Sequence, residues 1–109
     1  MQIEHYVTTE GKDVFSDWFA QLRDKATKVV IERRLLRIET GNLGQVRALQ
    51  KGVWEIKIDF GAGYRIYYAQ SGQTVILLLC AGDKGTQDAD IARAVTHWED
   101  YQQRIRSLS

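Results

Sequence analysis

The chain has no proline, one cysteine and two histidines in 109 residues. The lone Cys80 cannot form an internal disulfide, which fits a reducing compartment. It sits within the apolar run 75–81, so it reads as a buried structural thiol rather than a nucleophile. His5 and His97 lie in an expected first strand and an expected last helix, and both read as ordinary surface or edge residues rather than as a proton-transferring pair. No Cys/His cluster suits a metal, so no metal and no cofactor is expected. A phosphate-cradling Gly-x-x-x-x-Gly-Lys loop is missing, and Gly82-Asp83-Lys84-Gly85 is too short a signal for a nucleotide site. No apolar stretch approaches the length of a membrane span. Met1-Gln2-Ile3-Glu4-His5 has neither the basic start nor the apolar segment of a signal peptide, so a cytoplasmic location is expected. Without repeats, low-complexity tracts or linkers, residues 1–109 read as a single domain with one core.

An excess of either charge is also lacking: the formal net charge is +1. Placement says more than the sum. From Arg23 to Arg65 stand Arg23, Lys25, Lys28, Arg33, Arg34, Arg37, Arg47, Lys51, Lys57 and Arg65, against Asp24, Glu32, Glu39, Glu55 and Asp59. A basic middle between acidic flanks can present one positive face. On the helical part it can equally be a solvated surface of ion pairs.

The apolar residues set the elements. A short strand is expected at 3–7. Asp13 is placed to cap a helix carrying Val14, Phe15, Trp18, Phe19 and Leu22 at helical spacing. A second helix spans about 24–40, with Val30, Ile31, Leu35 and Ile38 as its stripe and Gly41-Asn42 as its stop. The period then changes to two. Strands are expected at 46–49, 54–59 and 64–69, and the continuously apolar 75–81 reads as a central strand covered on both faces. Asp88 is expected to cap a last helix bearing Ile91, Val95, Trp98, Ile105 and Leu108. The class is therefore α+β, of order β-α-α-β-β-β-β-α. A helical hairpin and a C-terminal helix would pack on a small, mainly antiparallel sheet. Helices on one face would leave the other partly open.

The hairpin 54–68 is the most informative stretch. Setting Ile56 opposite Ile66 also sets Trp54 opposite Tyr68 and Ile58 opposite Tyr64, which makes one apolar face. The other face then carries Glu55 opposite Tyr67 and Lys57 opposite Arg65. Two like charges directly opposed weaken a sheet. Either Glu55 or Asp59 neutralises the pair, or the register slips, or the pair is an anion site, where arginine can grip a phosphate bidentately.

Trp54-Glu55-Ile56-Lys57-Ile58, Gly63-Tyr64-Arg65-Ile66-Tyr67-Tyr68 and Gly82-Asp83-Lys84-Gly85-Thr86-Gln87, with Arg34-Leu35 and Gly41-Asn42-Leu43-Gly44 upstream, resemble the RelE/ParE toxin superfamily, nearest its HigB-like, "addiction module killer" branch. The resemblance covers essentially the whole chain. It implies a RelE-like fold and the toxin of a type II toxin–antitoxin system, usually a ribosome-dependent mRNA endoribonuclease. It also implies a helix-turn-helix, HigA-like antitoxin as partner, contact with ribosome and mRNA, and operator DNA reached only through the antitoxin complex. By the same resemblance Lys57 matches a proton-transferring lysine, Arg65 an arginine on the scissile phosphate, and Lys84 a basic residue after the last strand. Two departures stand out: Glu55 replaces a second RelE lysine, and no tyrosine occurs between Tyr68 and Tyr101. The ParE-like branch, which inhibits gyrase, shares the fold and is the alternative, as is a toxin that only binds its antitoxin.

Cleavage by a 2′-hydroxyl requires that hydroxyl to be deprotonated, the leaving oxygen protonated and the phosphorane charge stabilised. Lys57, Arg65 and Lys84 are the candidate catalytic residues. Arg47, Lys51 and Tyr67 are the candidate substrate contacts, Tyr67 as a stacking or relay group. Arg33, Arg34 and Arg37 are candidates for RNA phosphates.

Overall fold

The structure is a computed structural model that describes residues 1–108. Five strands form one sheet: β1 (Gln2–His5), β2 (Val46–Ala48), β3 (Trp54–Ile58), β4 (Tyr64–Ser71) and β5 (Val75–Asp83), in the spatial order β1-β5-β4-β3-β2. All neighbours are antiparallel except β1, which runs parallel to β5. Three helices, α1 (Val14–Gln21), α2 (Lys25–Glu39) and α3 (Gln87–Leu108), complete the expected α+β order.

The helix starts follow from short acidic side chains that satisfy free amides of the first turn. Asp13 accepts from the Ser16 N–H at 3.0 Å and begins α1. Asp24 accepts from the Ala26 N–H and the Thr27 hydroxyl and begins α2. The third start differs from expectation. Asp83, not Asp88, supplies the cap, accepting from the Gly85 N–H at 2.8 Å ahead of a 3₁₀ turn, Lys84–Thr86. Asp88 falls in the first turn of α3, where its charge complements the helix dipole.

The helices do not share one face of the sheet. Phe15, Ile31 and Ile38 from α1 and α2 pack with Ile56, Ile66, Tyr68 and Leu78 on one side. Ala94 and Val95 from α3 pack with Tyr67, Ala69, Leu77 and Leu79 on the other. The expectation that the helices share one face and leave the other partly open is thereby corrected: α3 packs on that other face. Strand β4 carries apolar side chains at consecutive positions, so both its faces need cover. The α3 cover is incomplete, and it stops short of the β3–β4 turn.

A bulge aligns the two sides. Tyr67 pairs with Cys80 but Tyr68 with Leu78, so Leu79 is the extra residue. Leu79 and Cys80 consequently both face α3. Beyond the bulge, Gly82 comes opposite Arg65 and Asp83 opposite Tyr64.

Candidate nucleic-acid interface

The β3–β4 register is the one expected: Glu55↔Tyr67, Lys57↔Arg65 and Ile58↔Tyr64. The opposed cations are therefore real, and each has an acid beside it. Arg65 Nε lies 2.9 Å from Glu55 Oε1, an ion pair whose N–H is not aimed along the contact. Lys57 Nζ lies 3.8 Å from the exposed Asp59 carboxylate. Glu55 is the hub. Its buried carboxylate also meets Arg47 at 3.2 Å and accepts from the Gln87 amide at 2.9 Å, which ties β2, β3, β4 and the start of α3 to one group. Because Glu55 takes the Nε side, the terminal nitrogens of Arg65 are left unbonded among the described residues. The Arg65 side chain retains 14% exposure, so those nitrogens are free for an incoming anion.

Glycines bring the remaining groups close. Gly63 (φ +87°) permits the turn, and a Cβ there would stand 3.3 Å from the Lys84 stem, so that stem lies along the turn. At Gly82 a Cβ would fall 1.9 Å from Asp90 Oδ2. The buried Asp90 carboxylate therefore fills the space beside Arg65 that a side chain would take. It is held by the Thr86 hydroxyl at 2.6 Å and by Arg93 at 2.5 Å.

Three depressions share Lys57. One of about 70 Å³ is lined by Lys57, Asp59, Tyr64, Arg65 and Lys84. A second of about 300 Å³ is lined by Gln45, Arg47, Glu55, Lys57 and Arg65. A third, of about 390 Å³, runs beside α2 past Arg33, Arg34, Arg37 and Phe60. Of the expected site residues, Lys57, Arg65, Lys84 and Arg47 are brought together. Lys51 is not. It occupies the β2–β3 turn with φ 52°, at the opposite end of β3, and lines none of these depressions. Tyr67 shares the face but is wholly buried, so its ring offers no surface for a base to stack on. Burial holds its hydroxyl well above the usual tyrosine range, with Glu55 and Asp90 adding to the effect.

Residues 17–99 match the family of phage-derived Gp49-like proteins (DUF891). The chain belongs to that family. It is a RelE/ParE-like family of toxin–antitoxin type. The chain is also similar to an uncharacterized protein of Haemophilus influenzae, 39% identical over 80 residues, which is 73% of this chain and 81% of the relative. Family membership points this Gp49-like protein toward an antitoxin partner. No helix among the described residues is long and apolar enough to cross a membrane, and no group of three metal-ligating side chains occurs among them.

His5, Asp13 and Cys80 of this Gp49-like protein lie outside the depressions. His5 Nδ1 is 3.0 Å from Asp13 Oδ2 and 3.2 Å from the Ser16 hydroxyl. Both contacts use one ring nitrogen, so the three residues form a helix start and no proton relay. Burial works against the Asp13 charge, but the Ser16 N–H and the His5 ring outweigh it and hold the carboxyl below its usual range. Burial pushes the Cys80 thiol up to about 12, as an inert structural thiol requires. Arg34 is a cross-brace. Its guanidinium donates to the carbonyls of Leu43, Gln45 and Lys57, and desolvation lowers its pKa, with Arg37 adding to the shift. Sequence reasoning offered Glu55 as a neutraliser of the pair, as found for Arg65, but missed its contacts with Arg47 and Gln87 and missed this brace, although Gly44 (φ +67°), whose Cβ would stand 2.8 Å from the guanidinium, marks the brace.

Proposed function

We propose that this Gp49-like protein is the toxin of a type II pair, of HigB-like type, and cleaves mRNA on the ribosome. The observation that carries this reading is the convergence of three basic depressions on Lys57, with Arg65 and Lys84 lining the same wall. In-line attack by a 2′-oxygen forms a 2′,3′-cyclic phosphate and breaks the bond to the 5′-oxygen. The charge grows on the non-bridging oxygens. Arg65, steered by Glu55, is assigned to stabilise that charge with its free terminal nitrogens. Lys57 and Lys84 are assigned to the protons at the attacking and leaving oxygens, and Arg47 to a neighbouring phosphate. Tyr67 supports the floor of the site from below, and Lys51 is assigned at most a peripheral RNA contact. No group with an ordinary pKa near neutrality lines the depressions. Such a set needs the substrate pre-aligned, which suits a reaction performed in the ribosome. A HigA-like antitoxin with acidic residues would neutralise the same face, and operator DNA would be reached through that partner.

The same lack of a neutral-pH base favours one second reading, a ParE-like toxin that binds gyrase. A single experiment separates the two. Purified toxin is added to a reconstituted translation reaction and, in parallel, to a gyrase supercoiling reaction. The nuclease reading expects mRNA breaks that need ribosomes. It also expects Arg65→Ala to slow cleavage by about 100- to 1,000-fold, as loss of one transition-state donor does. Arg65→Lys, which keeps charge without the planar fork, should fall between. Arrest of supercoiling without mRNA breaks overturns it.

A further inference from the structure

The third depression contributes Lys57 to the chemistry above, but its other residues have no part in it. It lies between α2 and the β3–β4 turn, on the far side of the β2–β3 edge from Arg65. Strand β2 starts only at Val46, and Gln45 and Lys57 line both this groove and the depression that reaches Arg65. The two basic surfaces therefore meet around a short sheet edge.

Its charge is uncompensated. Arg33 and Arg37, one turn apart on α2, are exposed and have no acidic partner among the described residues. Arg34 is satisfied only by neutral carbonyls, so its charge too stands unopposed. The one acid in the lining is Asp59, which stands beside Lys57. Next to these cations Phe60 remains 36% exposed. A protein that merely needed solubility would pair such arginines with acids along the helix.

We propose that this groove binds a single-stranded RNA segment flanking the cleaved nucleotide, with Arg33 and Arg37 on its phosphates and Phe60 stacked on a base. The inference rests on the nuclease reading for its link to Arg65, but RNA binding in the groove is measurable without cleavage. Cations beside an exposed aromatic are the recurring means of gripping a single strand. A guanidinium serves phosphate with its fork and a base with its plane. An acidic amphipathic helix is the poorer occupant. It would need a row of apolar anchors, yet Val30, Ile58 and Phe60 are the only hydrophobic lining and Ile58 is itself buried. The exposed Val29 and Leu36 of α2 are not part of the groove. The Arg34 brace holds α2 to the sheet edge, so the groove exists before anything binds.

The test uses the full chain without ribosomes and a fluorescein-labelled twelve-nucleotide RNA, titrated by anisotropy at several salt concentrations. The wild type should bind with a salt-dependent affinity. Arg33→Gln with Arg37→Gln should weaken binding at least tenfold and lower the log–log salt slope by about 1.4, the value for two phosphate contacts to a single strand. Phe60→Ala should weaken binding by roughly 5- to 100-fold with the slope unchanged, as loss of one stacked base does. Arg65→Ala should weaken this binding less than the arginine pair does, while slowing cleavage on ribosomes about 100- to 1,000-fold. Circular dichroism and urea midpoints check that each variant is folded; Arg33→Gln alone provides a milder variant if the double one is not. Affinity and slope unaltered by the arginine changes overturn the proposal. So does polyglutamate of equal charge displacing the RNA as well as unlabelled RNA does. Failure of the nuclease reading shows separately, as supercoiling arrest without mRNA breaks.

Discussion

The two faces of the β3–β4 hairpin are built from alternate residues of the same strands, yet they work by different physics. Toward α1 and α2, Ile56, Ile58, Ile66 and Tyr68 are buried in hydrocarbon, and their contribution is the non-directional gain of removing apolar surface from water. Toward α3, the residues between them are Glu55, Lys57, Arg65 and Tyr67. There the order comes from directed contacts: one carboxylate, two guanidiniums and an amide. The first face tolerates small changes of shape. The second loses its meaning if a single charge goes, because the partners left behind are already desolvated.

Glu55→Ala breaks the comparison hardest. Removing one member of a buried ion pair typically costs about 3–5 kcal/mol, and the lower end applies because Arg65 keeps some exposure to solvent. A loss of about 3 kcal/mol is expected, read as a lower urea midpoint at unchanged slope. Ile66→Val, on the opposite face at the neighbouring position, should cost only about 1 kcal/mol. Equal costs for the two variants would show that Glu55 is a solvated bystander. Glu55→Gln should keep more stability than Glu55→Ala while still impairing cleavage, since it loses the charge that orients Arg65.

Much of this contrast is legible in the sequence. Strict alternation in 54–58, with a short glycine-containing turn before Tyr64, leaves one register that buries the isoleucines together, and that register is the one found. Asp13 and Gly41 announce helix ends by local chemistry. What alternation does not encode is which face a later helix will cover. Ala94 and Val95 form a stripe, but nothing in their spacing says that the stripe meets Tyr67 and Leu79 rather than Ile56. The bulge at Leu79 is equally silent, because the run around it is apolar at every position. The Glu55–Gln87 contact joins residues 32 apart in the chain, beyond any local rule. Lys51 shows the opposite error. Basic residues close in sequence to Arg47 are not close in space, since the β2–β3 turn sends Lys51 to the far end of the strand.

Tyr67→Phe sharpens the comparison with a smaller effect of opposite sign. The Tyr67 hydroxyl is buried on the polar face without a hydrogen-bond partner. A buried hydroxyl that bonds to nothing is a cost, so its removal should be neutral or stabilising by up to about 1 kcal/mol. Cleavage should be unaltered, because the buried hydroxyl lines none of the depressions. A destabilisation above about 1 kcal/mol would show that the hydroxyl is bonded in solution and belongs to the Glu55 network.

The smallest expected effect concerns His97, on the part of α3 that covers the apolar half of its face. The ring stacks on Tyr6 at 4.5 Å, and Tyr6 in turn donates to Asp100 at 2.6 Å. Desolvation lowers the His97 pKa, with Arg93 adding to the shift, so the fold favours the neutral imidazole. Between the folded value and the ordinary 6.5, the unfolded chain binds the extra proton and the native chain does not. The stability due to neutral His97 is therefore complete above pH 6.5 and is lost as pH falls through that window. Asp13, whose carboxyl pKa is lowered, gives stability that is present above pH 3.8 and lost only as pH falls below it, outside the range from pH 8 to pH 5. Thermal midpoints measured from pH 8 to pH 5 should decline modestly for the wild type. His97→Phe, which keeps an aromatic stack on Tyr6 without a titrating nitrogen, should flatten that decline; an identical slope in the variant would assign it to other groups.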